Sequence, residues 1–234
     1  MKFLIFSFAA LFLGTAVFLA GGILHTARAQ TPPPTQFFLT WRANNFYPSF
    51  FEGKVFPTAG TPITASLEAL RGGKFLDLSR VTITWFINDK LMDRGDGKKE
   101  ILFTPKSIAG ETVTIKATAR LMDQENIREI SLQVPVLSPQ IVANIPLPLE
   151  IVASQSRFLL EAFPFFWNIK TLNDLYFTWT INGEQKKAQG ENTLSLGVGT
   201  PASEYDRTLQ INLLAQNLSN PLEFAQERFQ LTIQ

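Results

Sequence analysis

One eight-residue stretch, written twice, limits the possible folds more than anything else in the chain. Residues 81–88 read Val-Thr-Ile-Thr-Trp-Phe-Ile-Asn, and residues 175–182 read Leu-Tyr-Phe-Thr-Trp-Thr-Ile-Asn. Side chains of a β-strand alternate between two faces. One face of each copy is therefore apolar: Val81, Ile83, Trp85 and Ile87 in the first, Leu175, Phe177, Trp179 and Ile181 in the second. The other face carries Thr82, Thr84 and Asn88, matched by Tyr176, Thr178, Thr180 and Asn182. A half-buried strand that ends on Asn before a turn is the centre of a β-sandwich, and this chain has two.

The rest of the second half follows the first in order. Leu67-Glu68-Ala69-Leu70 is echoed by Leu160-Glu161-Ala162-Phe163, Val113-Thr114-Ile115 by Leu209-Gln210-Ile211, and Ser131-Leu132-Gln133-Val134 by Gln230-Leu231-Thr232-Ile233. The offset rises slowly, which means equivalent strands joined by slightly longer loops in the second copy. Strands are expected over residues 37–43, 63–70, 81–88, 101–104, 113–121 and 127–134. Asp93-Arg94-Gly95-Asp96-Gly97 is expected as a hairpin turn. Pro135 and Pro139 bracket a short, stiff connector, whose Val136 and Leu137 are expected to pack between the halves. The boundaries follow as residues 37–135 for one sandwich, 136–139 for the linker and 140–234 for the other.

Residues 1–29 stand apart from this pattern. Lys2 precedes an apolar run over residues 3–24, and Ala27-Arg28-Ala29 supplies a small-x-small site. This is the build of a secretory signal peptide cleaved after Ala29. The run is also long enough to stay uncleaved as a membrane anchor, so two readings stand for the segment, and both imply export. Residues 30–36, with Pro32-Pro33-Pro34, form a semi-extended spacer.

The repeated Trp-x-Ile-Asn, as Trp85-Phe86-Ile87-Asn88 and Trp179-Thr180-Ile181-Asn182-Gly183, resembles bacterial immunoglobulin-like and PKD-like modules. The opening Thr40-Trp41-Arg42-Ala43-Asn44-Asn45-Phe46 is similar to exported bacterial proteins of this build. The resemblance implies an all-β chain of two immunoglobulin-like antiparallel β-sandwiches in tandem, with Trp85 and Trp179 on the third strand between the sheets. The antibody-type cysteine pair is missing, so those tryptophans would pack on aliphatics such as Ile115 and Ile211. The family implies envelope or surface work: spacing, adhesion or scaffolding through protein partners.

Composition removes whole classes of chemistry. There is no cysteine, which excludes disulfides, thiolate metal sites and thiol catalysis. The single histidine, His25, lies in the leader, so histidine triads and zinc sites drop out of the mature chain. No Ser-x-x-Lys or Gly-x-Ser-x-Gly sequence positions a nucleophile. Acids such as Asp77, Glu100, Asp123 and Glu125 are scattered in turns and strand ends. No catalytic residue, metal ligand or cofactor is expected, and the chain is not read as an enzyme. Of 21 basic residues Lys2 and Arg28 fall in the acid-free leader, leaving 19 basic against 20 acidic. Nucleic acid is not an expected partner. Arg94-Gly95-Asp96 and Asn217-Leu218-Ser219 spell an adhesion tripeptide and a glycosylation acceptor, but both read first as turns.

The remaining functional signal is aromatic. Phe46, Tyr47, Phe50 and Phe51 cluster beside Pro48, and Phe163, Phe165, Phe166 and Trp167 cluster beside Pro164. Both clusters fall outside the alternating core pattern, in loops or strand ends. They either close the sandwich ends and join the two domains, or present a surface to an envelope protein or a glycan.

Overall fold

The computed structural model describes residues 33–121, 127–145, 151–204 and 207–234. The leader at 1–29 and the acids Asp123 and Glu125 lie outside the described residues. The first half contains β1 (Gln36–Ala43), β2 (Ile63–Arg71), β3 (Lys74–Phe75), β4 (Thr82–Ile87), β5 (Lys90–Asp96), β6 (Glu100–Phe103), β7 (Thr112–Arg120) and β8 (Ile127–Pro135). One sheet has β2 at its centre, with β1 along one edge and β3 and β6 along the other. The second runs β5-β4-β7-β8, and every pairing in the two is antiparallel.

The second half repeats this arrangement with β9 (Gln140–Asn144), β10 (Ile151–Val152), β11 (Arg157–Phe165), β12 (Leu175–Ile181), β13 (Glu184–Gln189), β14 (Thr193–Gly197), β15 (Thr208–Asn217) and β16 (Phe224–Ile233). Its sheets run β14-β11-β9 and β10-β16-β15-β12-β13, and only the short β10 pairs in parallel, with the end of β16. Two antiparallel sheets with β4 or β12 central in the second sheet make each half an immunoglobulin-like sandwich.

The repeated strand sits where its alternation requires. Trp85 and Trp179 are buried, each in its own core. In the first core Trp85 lies directly opposite Ala117 in register, and Ala65, Ala69 and Ala119 are buried in the same cluster. Small residues beside a large one let two sheets close without a void. The indole N–H of Trp85 donates to the Lys98 carbonyl at 2.7 Å. The indole nitrogen of Trp179 is buried with no partner, so the two copies differ at their most similar position.

The repeated asparagine has a physical reason of its own. Asn88 and Asp89 have φ of 49° and 59°, and Asn182 and Gly183 have φ of 46° and 92°. Both central residues of a type I′ hairpin need positive φ, which Asn tolerates better than most. Each asparagine also accepts a backbone N–H from the next strand over: Thr114 to Asn88 Oδ1 at 2.8 Å and Gln210 to Asn182 Oδ1 at 2.8 Å. One residue type thus shapes the hairpin and fastens it to the sheet.

Two sequence expectations are corrected. The segment expected as a turn at Asp93–Gly97 is largely strand: Asp93 to Asp96 pair with Trp85 to Thr82 in the edge strand β5, and the turn starts at Gly97. A bulge between Trp85 and Phe86 leaves Met92 as the extra residue, which blunts the open edge. Val136 was expected between the halves but is wholly buried in the first core.

Candidate functional site: the seam between the sandwiches

Residues 44–62, joining β1 to β2, do more than turn the chain. In the second half the matching connection is residues 145–156, so the first copy carries additional length at this point. Phe46 leaves the first sandwich and forms a two-bond bridge with Trp167: the Phe46 N–H donates to the Trp167 carbonyl at 2.7 Å, and the Trp167 N–H returns to the Phe46 carbonyl at 3.2 Å. The Leu137 N–H donates to the Pro57 carbonyl at 2.8 Å, which ties the loop to the linker. Pro34–Gln234, both sandwiches included, accordingly form one compact unit.

The two aromatic clusters meet across this seam. Phe50 stands edge-on to Phe163 with centroids 5.0 Å apart, and Phe51 lies 5.4 Å from Phe165 and 5.7 Å from Phe166. Phe56, which carried no signal in the sequence, reaches Phe166 at 6.1 Å and Trp41 at 5.8 Å. Tilted and edge-to-face pairs like these contribute about 0.5–1.5 kcal/mol each beyond the area they bury. Gly53 is needed here, because a Cβ at that position would lie 2.5 Å from the Phe51 ring.

The eight aromatic candidates therefore divide. Trp167 is fully buried in the second core and its indole N–H donates to the Gln140 carbonyl at 2.8 Å. Phe166 is buried as well, at a φ of 63° that turns the chain out of the strand. The expectation that both lie off the core is corrected for these two: the left-handed turn at Phe166 resets the alternation and sends Trp167 inward. Phe46, Phe51, Phe163 and Phe165 are half-buried, whereas Tyr47 and Phe50 are exposed at 41% and 60%. Val142, paired with Phe163, and Leu159 on the same outward face of β11 are exposed too. An apolar ledge thus runs from Phe50 over Phe163 to Val142, and Glu161 separates it from Leu159 on the same face of β11.

Under the rings lies a buried polar knot that no local pattern announces. Thr58, Thr61, Asn217 and Glu223 are at most 6% exposed. Asn168 links the two sides: its Nδ2 donates to Thr58 Oγ1 at 3.0 Å and to the Ala59 carbonyl at 2.9 Å, and its Oδ1 accepts from Thr61 Oγ1 at 2.6 Å. The Glu223 carboxyl accepts the Asn168 N–H at 2.8 Å through one oxygen and Asn217 Nδ2 at 2.6 Å through the other. A buried acid is tolerable only when its oxygens are filled, and here amide N–H groups fill them. Asn217, the formal glycosylation acceptor, is consumed in this knot. Thr171 and then Lys170 donate backbone N–H to Asp174, and these bonds hold its carboxyl below the usual carboxylate range. Lys54 lies 4.0 Å over the Trp41 ring, and burial lowers its pKa.

A shallow groove of about 560 Å³ follows the seam, lined by Asn44, Tyr47 and Gly60 on one side and Asn168, Ile169 and Lys170 on the other. Among the described residues no group of three His, Cys, Asp or Glu side chains could hold a metal ion, and no helix is long and apolar enough to cross a membrane.

No known protein family matches the sequence, and no curated protein does. Solved structures share the sandwich build at low identity. Three N-terminal domains of the bacteriophage RB49 highly immunogenic outer capsid protein are 14% identical with a TM-score of 0.45, over 86% of this chain and 59% of that one. The chain thus spans about three fifths of that fragment. Fibronectin(III)-like modules of Clostridium thermocellum CbhA are 15% identical with a TM-score of 0.30, over 83% and 94%. A chimeric titin Z1Z2 is 12% identical with a TM-score of 0.33, over 87% and 98%.

Proposed function

We propose that the chain is an exported, non-catalytic envelope or surface protein, a two-sandwich unit that holds one relative orientation and presents the ledge beside its seam to a protein partner. The observation that carries this reading is the seam itself. Five ring pairs, a two-bond backbone bridge and a buried hydrogen-bonded knot join the halves. An independent pair of beads on a string has no use for such a joint, whereas a spacer or scaffold does. The exposed Phe50 ring on Phe163, with Tyr47 in the same loop and Val142 opposite Phe163, has the apolar, partly aromatic character of a protein-binding patch. A glycan reading of the same loops has less support, because only Tyr47 and Phe50 of the eight aromatics stay exposed to stack on a sugar.

A photo-crosslinking amino acid at Phe50, with a control at the exposed Lys74 on β3 of the first sandwich, tests this in intact cells. One discrete adduct from Phe50, lost when Tyr47→Ser and Val142→Ser are added, is the expected result. Adducts of equal yield at both positions would sink the proposal, as would their absence.

A further inference from the structure

The duplication supplies an internal comparison that exposes a second surface, on the outward face of the β13-β12-β15-β16 part of the second sandwich and away from the ledge invoked above. The strand registers match the two copies row by row. Phe86–Lys116–Ser131 becomes Thr180–Asn212–Arg228, Thr84–Thr118–Glu129 becomes Thr178–Leu214–Gln226, and Thr82–Arg120–Ile127 becomes Tyr176–Gln216–Phe224. At the edge strand Asp96, paired with Thr82, becomes Gln189, paired with Tyr176, and Arg94 is kept as Lys187.

The substitutions have one direction. Both acids of the first face, Asp96 and Glu129, are carboxamides on the second. Two of its bases, Lys116 and Arg120, are carboxamides as well. A new cation, Arg228, stands where the first copy has Ser131. These rows of the second face hold no Asp or Glu, and no ion pair engages Arg228 among the described residues. An ordinary solvated sheet face mixes charges of both signs, as the first copy does. This one instead carries carboxamides, two of which, Gln189 and Gln216, each spend one N–H on a backbone carbonyl, with guanidinium as the positive element.

The face also has a shape. A groove of about 540 Å³ lies at its hairpin end, lined by Thr180, Asn182, Gln210, Asn212, Arg228 and Gln230. Gln226 braces it: its side-chain amide lies between Asn212, with which it shares a hydrogen bond, and the Arg228 guanidinium, 3.2 Å away when the amide oxygen is turned toward it. A neutral amide beside the guanidinium leaves its charge unpaired among the described residues. At the other end of the same face Phe224 is exposed beside Gln216 and Tyr176.

We propose that this face binds an acidic polysaccharide. The carboxamides and threonines match the hydroxyls of a sugar, each of which donates and accepts. The planar guanidinium matches a uronate carboxylate through paired N–H donors. The missing acids remove the repulsion that would otherwise exclude such a chain.

Affinity electrophoresis of the full chain in gels containing polygalacturonate, with dextran gels as the neutral comparison, tests the assignment. Arg228→Ser and Gln226→Glu each restore the residue of the first copy, where the same register position already tolerates it, and thermal melts confirm that the variants fold. Arg157→Ser, on the other sheet, controls for the change in net charge. The wild type should be retarded by polygalacturonate and not by dextran. Each face variant should lower the affinity about tenfold, the weight of one charge-assisted hydrogen bond, while Arg157→Ser leaves it unchanged. Absence of retardation, equal retardation in dextran, or unchanged retention of the folded face variants would each overturn the proposal.

Discussion

Asn168→Ala is the sharpest perturbation of the seam, because the change is small and its consequences are specific. The side chain takes part in three hydrogen bonds to the 44–62 loop, with Thr58 Oγ1, the Ala59 carbonyl and Thr61 Oγ1. At a net 0.5–1.5 kcal/mol per bond, the three together contribute about 1.5–4.5 kcal/mol. The Asn168 N–H to Glu223 survives the substitution, since it is a backbone bond. The loss therefore falls on the coupling between sandwiches and leaves each core intact. Against a typical domain stability of about 5–15 kcal/mol, it is enough to separate two linked transitions. Urea unfolding followed by hydrogen exchange and mass spectrometry reads the halves separately, through peptides that cover β4 and β12. In the wild type both peptides should lose protection at one urea midpoint. In Asn168→Ala the midpoints should part and the weaker half should unfold at lower urea. A variant that keeps one shared midpoint, unmoved from wild type, would refute the reasoning that the knot couples the halves.

Three further outcomes follow from particular contacts. Trp85→Phe should cost about 1–2 kcal/mol more than Trp179→Phe in urea melts, because the first strands the Lys98 carbonyl while the second removes an N–H that is buried without a partner. Glu227 is half-buried and accepts the Ala143 N–H, and burial raises its pKa above the usual 4.5. A raised acid favours the fold while protonated, so its contribution is full below about the unfolded value and is lost as pH rises through the folded one. Melting temperatures should fall over that weakly acidic window in the wild type and stay flatter in Glu227→Gln. The lowered Asp77, Asp93 and Asp174 act with the opposite sign and at lower pH, below the usual 3.8. Gly53→Ala should push the Phe51 ring off Phe165 and Phe166 and part the two unfolding midpoints as Asn168→Ala does, with the loss of two ring pairs worth about 1–3 kcal/mol.

The sandwich core was legible because it is a local, periodic property. Trp85 and Trp179 announce themselves through alternation, and Asn88 and Asn182 through the turn that follows them. β5 was hidden by its composition: Asp93, Gly95 and Asp96 favour turns in isolation, but pairing with residues 82–85 outweighs that preference in an edge strand. Trp167 was misplaced because the alternation of β11 ends at Phe166, and a single left-handed residue is invisible to a pattern of period two. Thr58, Thr61, Asn168, Asn217 and Glu223 are spread over 165 positions and have no shared local signal. Only folding brings them together, so the knot could not be read in advance. The contrast between the two outer faces was present in the sequence throughout, but it needs the exact strand registers before Glu129 can be set against Gln226.

A seam that makes the two sandwiches one rigid unit holds them at a single separation, which a pulsed distance measurement reads. The chain has no cysteine of its own, so Leu102→Cys on β6 and Ser195→Cys on β14, both exposed, accept spin labels at defined positions in each half. Double electron–electron resonance on the doubly labelled chain should give one narrow distance distribution, and Asn168→Ala combined with Gly53→Ala should broaden it. A broad distribution in the otherwise wild-type chain, spanning many relative orientations of the halves, would contradict that rigidity.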